Sequence, residues 1–165
     1  MGSEKAYITV LGRYVWALVN CYHAVLREKE YYPDKVFIVA EDRSKSEVDK
    51  GKKAFGILNE QYDISPEMET IIVENVDFFS AGKRISKTIK ELKEDKTKIA
   101  LDITPGRKPM ITAALVPAIK EGLEHIYYLE ISDLDDVAKP YLEIPLGKQK
   151  LWDLLDFYRE GSNEL

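Results

Sequence analysis

Short, almost wholly apolar runs of strand length recur along this chain, and each of the first four is followed by a stretch with helical spacing. Tyr7 to Leu11 is the first such run and ends at Gly12. From Tyr14 to about Glu30, Val15, Leu18, Val19, Tyr22, Val25 and Leu26 recur at the period of a helix face, and Pro33 closes the connection. Val36 to Ala40 is the second strand. Ser44 and Glu47 match a capping box, and Val48, Phe55, Leu58 and Tyr62 carry a helical face through Gly51 and Gly56. Thr70 to Val73 is the third strand, and Ser80 is the expected cap of a helix with Ile85, Ile89 and Leu92 on one side. Lys98 to Ile103 is the fourth strand. Pro109 to Glu121 is the fourth helix, stopped by Gly122, and Pro117 inside it predicts a kink or a displaced start. Ile126 to Ile131 is the fifth strand. Tyr141 to Leu146 reads as a sixth, placed at an edge by Pro145 and reached through an acidic loop at Asp133 to Asp136. Leu151 to Tyr158 reads as a short amphipathic helix.

Strands that are apolar on both sides need cover on both faces, which in an alternating chain means a parallel sheet between layers of helices. The expected class is therefore α/β: a Rossmann-like, mostly parallel six-stranded sheet with helices on both faces and a C-terminal antiparallel edge strand. The 165 residues, 45% of them hydrophobic, suffice for one core, which at this size buries roughly 70% of the unfolded surface. No linker composition interrupts the chain, so 1–165 reads as a single ligand-binding domain. The opening Met1-Gly2-Ser3 resembles a cloning remnant, which suggests a domain cut from a longer protein. No apolar run approaches the roughly 20 residues of a membrane span. Cys21 is the sole cysteine, and His23 and His125 are the only histidines, so neither a disulfide nor a zinc or iron centre is expected. These features fit a cytoplasmic domain without metal or cofactor. A net charge of −5 disfavours stable binding to long nucleic acid, so any polyanion must be held by local basic residues.

One such locality stands out. Asp102-Ile103-Thr104-Pro105-Gly106-Arg107-Lys108-Pro109-Met110 joins the fourth strand to the fourth helix. A helix N-terminus offers unpaired N–H groups and partial positive charge, to which Arg107 and Lys108 add two full charges. With strand order 3-2-1-4-5 the chain reverses direction between the first and fourth strands, and ligands of open α/β sheets bind at that switch point. Gly12-Arg13-Tyr14 and Thr104 to Lys108 would then flank one crevice. The first loop lacks the Gly-x-Gly-x-x-Gly of dinucleotide sites. A Walker loop and a Gly-x-Ser-x-Gly elbow are also missing. Asp102, at a strand end, is expected to orient the turn through backbone N–H groups.

The turn resembles the Asp-x-Thr-Gly-Gly-Thr/Arg-Lys-x-Met signature of CRISPR-associated Rossmann-fold (CARF) domains, and the likeness of layout extends over nearly the whole chain. Pro105 stands where a glycine is common, and Gly12-Arg13 replaces a serine-containing turn. The resemblance implies a homodimer that binds a cyclic oligoadenylate, with cyclic tetra-adenylate foremost, as the sensor of a type III CRISPR antiviral effector. It implies ligand contacts from Gly12, Arg13, Tyr14, Thr104, Pro105, Gly106, Arg107 and Lys108. Gly106 would let backbone approach phosphate, Thr104 would offer a hydroxyl, and Tyr14 or Trp16 would stack on adenine unless they pack on the sheet, the reading preferred for Trp16. An effector or membrane segment would lie outside this chain.

Further basic residues, Arg43, Lys45, Lys83 and Arg84, are expected toward the same edge or on the solvated surface. Asn20, Cys21 and His23 lie on the first helix, where a lone histidine reads as a packing residue. Helix four is apolar on more than one side, either as a helix buried all round or as one with a dimer interface. No catalytic residue is assigned. A metal-independent ring nuclease is the alternative enzyme reading, with Lys108 as the cation, and a nucleotide or sugar-phosphate binding protein is the third.

Overall fold

The computed structural model describes residues 2–74 and 77–161; Met1, part of the stretch read as a cloning remnant, lies outside the described residues. Its strands are β1 (Lys5–Val10), β2 (Lys35–Glu41), β3 (Glu67–Val73), β4 (Lys98–Asp102), β5 (His125–Ile131) and β6 (Gln149–Asp153). They form one sheet in the order β3-β2-β1-β4-β5-β6. All neighbours are parallel except β5 and β6, which run antiparallel at the edge. The expected class and strand order are thus those found. The helices are α1 (Val15–Glu28), α2 (Lys45–Gln61), α3 (Phe78–Glu94), α4 (Lys108–Lys120) and α5 (Leu154–Gly161).

Because side chains alternate along a strand, β1 is buried on both faces from Ala6 to Val10. Tyr7 points to one face and packs with Leu18, Tyr22, Val25 and Phe55 of α1 and α2. Ala6, Ile8 and Val10 point to the other and pack with Ala81, Ile85, Met110 and Ala114 of α3 and α4. Two cores therefore share one sheet.

Four local expectations need correction. The sixth strand is Gln149–Asp153, not Tyr141 to Leu146. Pro140 and Pro145 hold extended backbone just before two short 3₁₀ turns, Tyr141–Glu143 and Leu146–Lys148. Proline fixes φ and cannot donate to a ladder, so the apolar pattern there feeds turns whose Tyr141 and Ile144 are buried. The Gln149 side-chain amide then donates to the carbonyls of Tyr141 (3.2 Å) and Ile144 (2.9 Å) as the true strand begins. The last helix starts only at Leu154, because Asp153 accepts from the Leu155 amide at 3.1 Å in the manner of a cap. Ser44 makes no capping bond. A 3₁₀ turn at Asp42–Ser44 leads directly into α2, and Glu47 pairs with Lys50 at 2.9 Å. Asp77, not Ser80, caps α3 through the amides of Phe79 and Ser80, each at 3.1 Å. By contrast, α4 begins at Lys108, one residue before the expected start, and runs through Pro117 as one helix.

Candidate functional site: a basic turn at the switch point

The loops after β1 and β4 do meet. A Cβ built on Gly12 would lie 1.4 Å from the carbonyl oxygen of Pro105, so only glycine permits this approach. Pro105 is itself buried beneath the contact. Gly106 is equally confined: a Cβ there would fall 2.3 Å from Ile111 Cδ1 and 3.2 Å from Val10 Cβ. Both glycines thus serve packing between the crossing loops.

Asp102 is the anchor below the turn. It is fully buried, accepts from the Thr104 amide (2.8 Å) and from the Thr9 hydroxyl (2.8 Å), and so ties β1 to the turn. Burial pushes its carboxyl above the usual range, and the Thr104, Cys21 and Thr9 donors offset that only in part. Burial, reinforced by the Asp102 charge, likewise pushes the Tyr7 hydroxyl and the Cys21 thiol well up. The Thr104 hydroxyl accepts from the Leu129 amide at 2.9 Å, which fixes the turn to β5.

Above this anchor, Arg107 is the N-cap residue of α4 and Lys108 its first residue. Helix geometry leaves the amides of Arg107, Lys108 and Met110 without an intrahelical acceptor, and among the described residues no side chain caps them. Arg107 and Lys108 are both exposed. The Arg107 guanidinium is nonetheless held: its Nη1 donates to Glu41 Oε1 at 2.8 Å. Arg43 Nε donates to the other oxygen, Oε2, at 2.6 Å. Glu41 ends β2 with only 8% of its side chain exposed, whereas its two partners are about half exposed, at 48% and 56%. One buried carboxylate therefore sets two guanidiniums side by side and leaves one positive charge uncompensated. Sequence reasoning missed Glu41. The available signal was an acidic pair, Glu41-Asp42, directly after the apolar run Val36 to Ala40 and just before Arg43.

The remaining expected residues separate into two groups. Arg13, Tyr14 and Trp16 stay together, lining a cavity with Glu47 and Lys50 of α2. Tyr14 is 56% and Trp16 40% exposed, so the preference for Trp16 packing on the sheet is corrected. Lys45 opens α2, exposed. Lys83 lines a different cavity between α3 and α4, and the Arg84 guanidinium donates to the Ile72 carbonyl. Neither joins the turn. Asn20 and Cys21 are buried, and the Asn20 amide donates to the Lys139 carbonyl at 2.8 Å. His23 packs against Tyr62 and Tyr141, and burial, with Arg27 nearby, lowers its pKa. Among the described residues no cluster of three or more His, Cys, Asp or Glu could hold a metal ion, and no helix is long and apolar enough to cross a membrane.

No protein-family model matches the sequence, and no curated protein matches it either. Solved structures do match in fold. Can2 from Sulfobacillus thermosulfidooxidans in complex with cyclic tetra-adenylate is 17% identical, with a TM-score of 0.59 over 81% of this chain and 33% of that one. Csm6 from Enterococcus italicus, bound to cyclic hexa-2′-fluoro-hexa-dAMP, is 14% identical, with a TM-score of 0.57 over 96% of this chain and 44% of that one. VC1899 from Vibrio cholerae is 13% identical, with a TM-score of 0.62 over 78% of this chain and 32% of that one. The chain thus spans less than half the length of each. The Rossmann-like fold expected from the alternation of strands and helices is the fold these proteins share with it.

Proposed function

We propose that this domain binds a cyclic oligoadenylate, cyclic tetra-adenylate foremost, across a homodimer, and acts as the sensor of a type III CRISPR antiviral effector. The observation that carries this reading is the turn itself. It combines unpaired amides, Lys108 and the Arg43–Glu41–Arg107 group at the switch point. The fold is shared with two structures that hold cyclic oligonucleotides. A cyclic tetranucleotide has two-fold symmetry, as does an isologous dimer, so two copies of Gly106 to Lys108 facing each other would surround its ring of phosphates.

The α3–α4 face supports the dimer. Between the two helices lies an open groove of about 1090 Å³, whose lining includes Pro109, Ala113, Val116 and Pro117. It starts at Pro109, the residue after Lys108. Phe79, Val116 and Ile119 are 86%, 64% and 68% exposed. A second copy covering this groove would bring its own turn beside the first. In the full-length protein an effector region would read the resulting rearrangement.

Calorimetric titration with cyclic tetra-adenylate and cyclic hexa-adenylate tests the reading. One ring bound per two chains, recovered intact by chromatography, is the expected result. Linear products would replace the sensor with a ring nuclease. No heat with either ring at concentrations where the protein is folded would refute it.

A further inference from the structure

The groove between α3 and α4 has two unlike walls. The α4 wall is largely apolar, with Ala113, Val116 and Pro117 open to it, and ends at Lys120. The α3 wall presents Lys83, Lys87 and Lys90, spaced i, i+4 and i+7 and therefore stacked along one side of the helix. All three, and Lys120, are exposed. Glu91 and Glu94 stand on the same rim, so four lysines face two carboxylates. Among the described residues only Lys87 of the four has a carboxylate within ion-pair distance, Glu91 at 3.6 Å.

Folding does not ask for this stripe. Like charges four residues apart, as Lys83 and Lys87 are, disfavour a helix slightly, and the chain as a whole carries −5. A lysine excess along an apolar groove, on an otherwise acidic molecule, bears instead on what the groove can meet. A second copy seated there brings the same stripe with it, because a two-fold interface sets one surface against itself. Like charges juxtaposed across an interface oppose association, and more so as water is excluded. The apolar wall thus favours the dimer and the lysine wall opposes it. Lys83 and Pro109 both line the groove, and Lys108 directly precedes Pro109. A ring of phosphates held between two turns therefore adds negative charge at the head of both stripes and bridges the copies as well. We infer that the lysine stripe on α3 keeps the ligand-free chain monomeric, and that binding of the cyclic oligoadenylate drives dimerisation. The inference rests on the cyclic oligoadenylate reading and deepens it: assembly is itself the signal, in place of a rearrangement within a standing dimer.

Sedimentation velocity on the ligand-free chain tests this gate. At about 0.01 M sodium chloride the screening length is roughly 30 Å, and at about 1 M roughly 3 Å. The wild type should be monomeric at low salt and shift toward dimer at high salt. Lys83→Gln/Lys87→Gln/Lys90→Gln should dimerise without ligand at low salt, at least about tenfold more tightly than wild type, within what like-charge contacts cost across an interface. Removing three lysine charges takes the whole chain from −5 to −8, so a repulsion set by net charge alone would move association the opposite way. Circular dichroism melts establish that the variant is folded. Cyclic tetra-adenylate should dimerise the wild type at low salt. If the ring does not bind, the oligoadenylate reading fails and the gate falls with it. Suppose instead that one ring binds per two chains, but the ligand-free chain is already a dimer at low salt, or the glutamine variant is no more dimeric than the wild type. The reading then stands and the gate alone is overturned.

Discussion

The two helical layers cover the same sheet but finish the task differently. On the α1–α2 side, Tyr22 packs between Tyr7 and Phe55, with ring centroids 5.0 and 4.1 Å away. Its hydroxyl, shut from water, donates to Asn59 at 2.7 Å. On the α3–α4 side, Ala81, Ile85, Met110, Ala114 and Ala118 fill an equally dry layer against the sheet. Beyond that layer the helices turn a second apolar surface outward, where Val116 and Ile119 stand in solvent. Gly82 and Ala113 let the two helices approach, with only 3.5 Å between Ala113 Cβ and a Cβ built on Gly82. The first side closes its buried layer within one chain, although Tyr14, Trp16 and Ile57 stay exposed outside that layer. The second carries apolar area that folding does not use, and surfaces of that kind mark association sites.

The contrast is broken most severely from the finished side. Phe55 is fully buried and stacked, so Phe55→Ala should cost about 3–5 kcal/mol, the range for aromatic truncation in a core. Urea denaturation measures it. A loss under about 1 kcal/mol would mean that this layer repacks freely and is not the rigid half of the molecule.

The unfinished side should respond in the opposite way. Val116→Glu changes an exposed position, and unfolding free energy should move by no more than about 0.5 kcal/mol. Dimers formed in the presence of cyclic tetra-adenylate should disappear in light-scattering measurements, because the same charge would be buried twice across a two-fold axis. A variant that still dimerises would place the interface elsewhere.

Legibility in the sequence followed the same division. The first five strands, the first four helices and the turn at Thr104 to Lys108 were readable because each depends on a short window of apolar period, proline, glycine and charge, and the strand order followed from the topology that such an alternation adopts. The sixth strand was not, since Gln149–Asp153 is defined by its partner Tyr127–Ile131 on β5 and has Lys150 and Trp152 facing outward. Trp16 misled for a related reason, as nothing local distinguishes a tryptophan on a core face from one in a cavity wall. Glu41 was invisible as a site residue because its meaning comes from Arg107, 66 positions later. What long-range pairing decides, local pattern cannot report.

Glu41 gives a sharper test of the crevice, which lies where the two layers meet. Arg107→Ala and Lys108→Ala should each weaken ring binding by about tenfold or more, the worth of one charge-assisted hydrogen bond. Glu41→Ala should weaken it as well, although it removes a negative charge from an anion site, because Arg43 and Arg107 would lose their common anchor. The double variant Glu41→Ala/Arg107→Ala should then lose less than the sum of the two single losses, since only the Arg43 anchor remains to be removed once Arg107 is gone, a non-additivity that titration calorimetry can read. Tighter binding by Glu41→Ala would show that the carboxylate merely competes with phosphate.

The smallest effect is expected from Asp102, which belongs to neither layer. Its folded-state pKa is raised by burial, so the native protein holds this proton more tightly than the unfolded chain does. The stability associated with the proton is fully present below the unfolded value of about 3.9 and is lost as pH rises through the folded value. Wild-type stability therefore carries a component that falls with rising pH in that acidic window, opposed to the component from Asp153. Burial raises Asp153 too, but bonds from His125 and from the Ile126 and Leu155 amides outweigh it and hold its pKa down. Stability from Asp153 is accordingly present at neutral pH and lost as pH falls. Asp102→Asn should remove the first component and leave the second, so that chemical denaturation across the acidic range shows a steeper rise with pH than in the wild type. An unchanged profile would mean that Asp102 titrates alike in both states, and that its bonds to Thr9 and Thr104 fully compensate its burial.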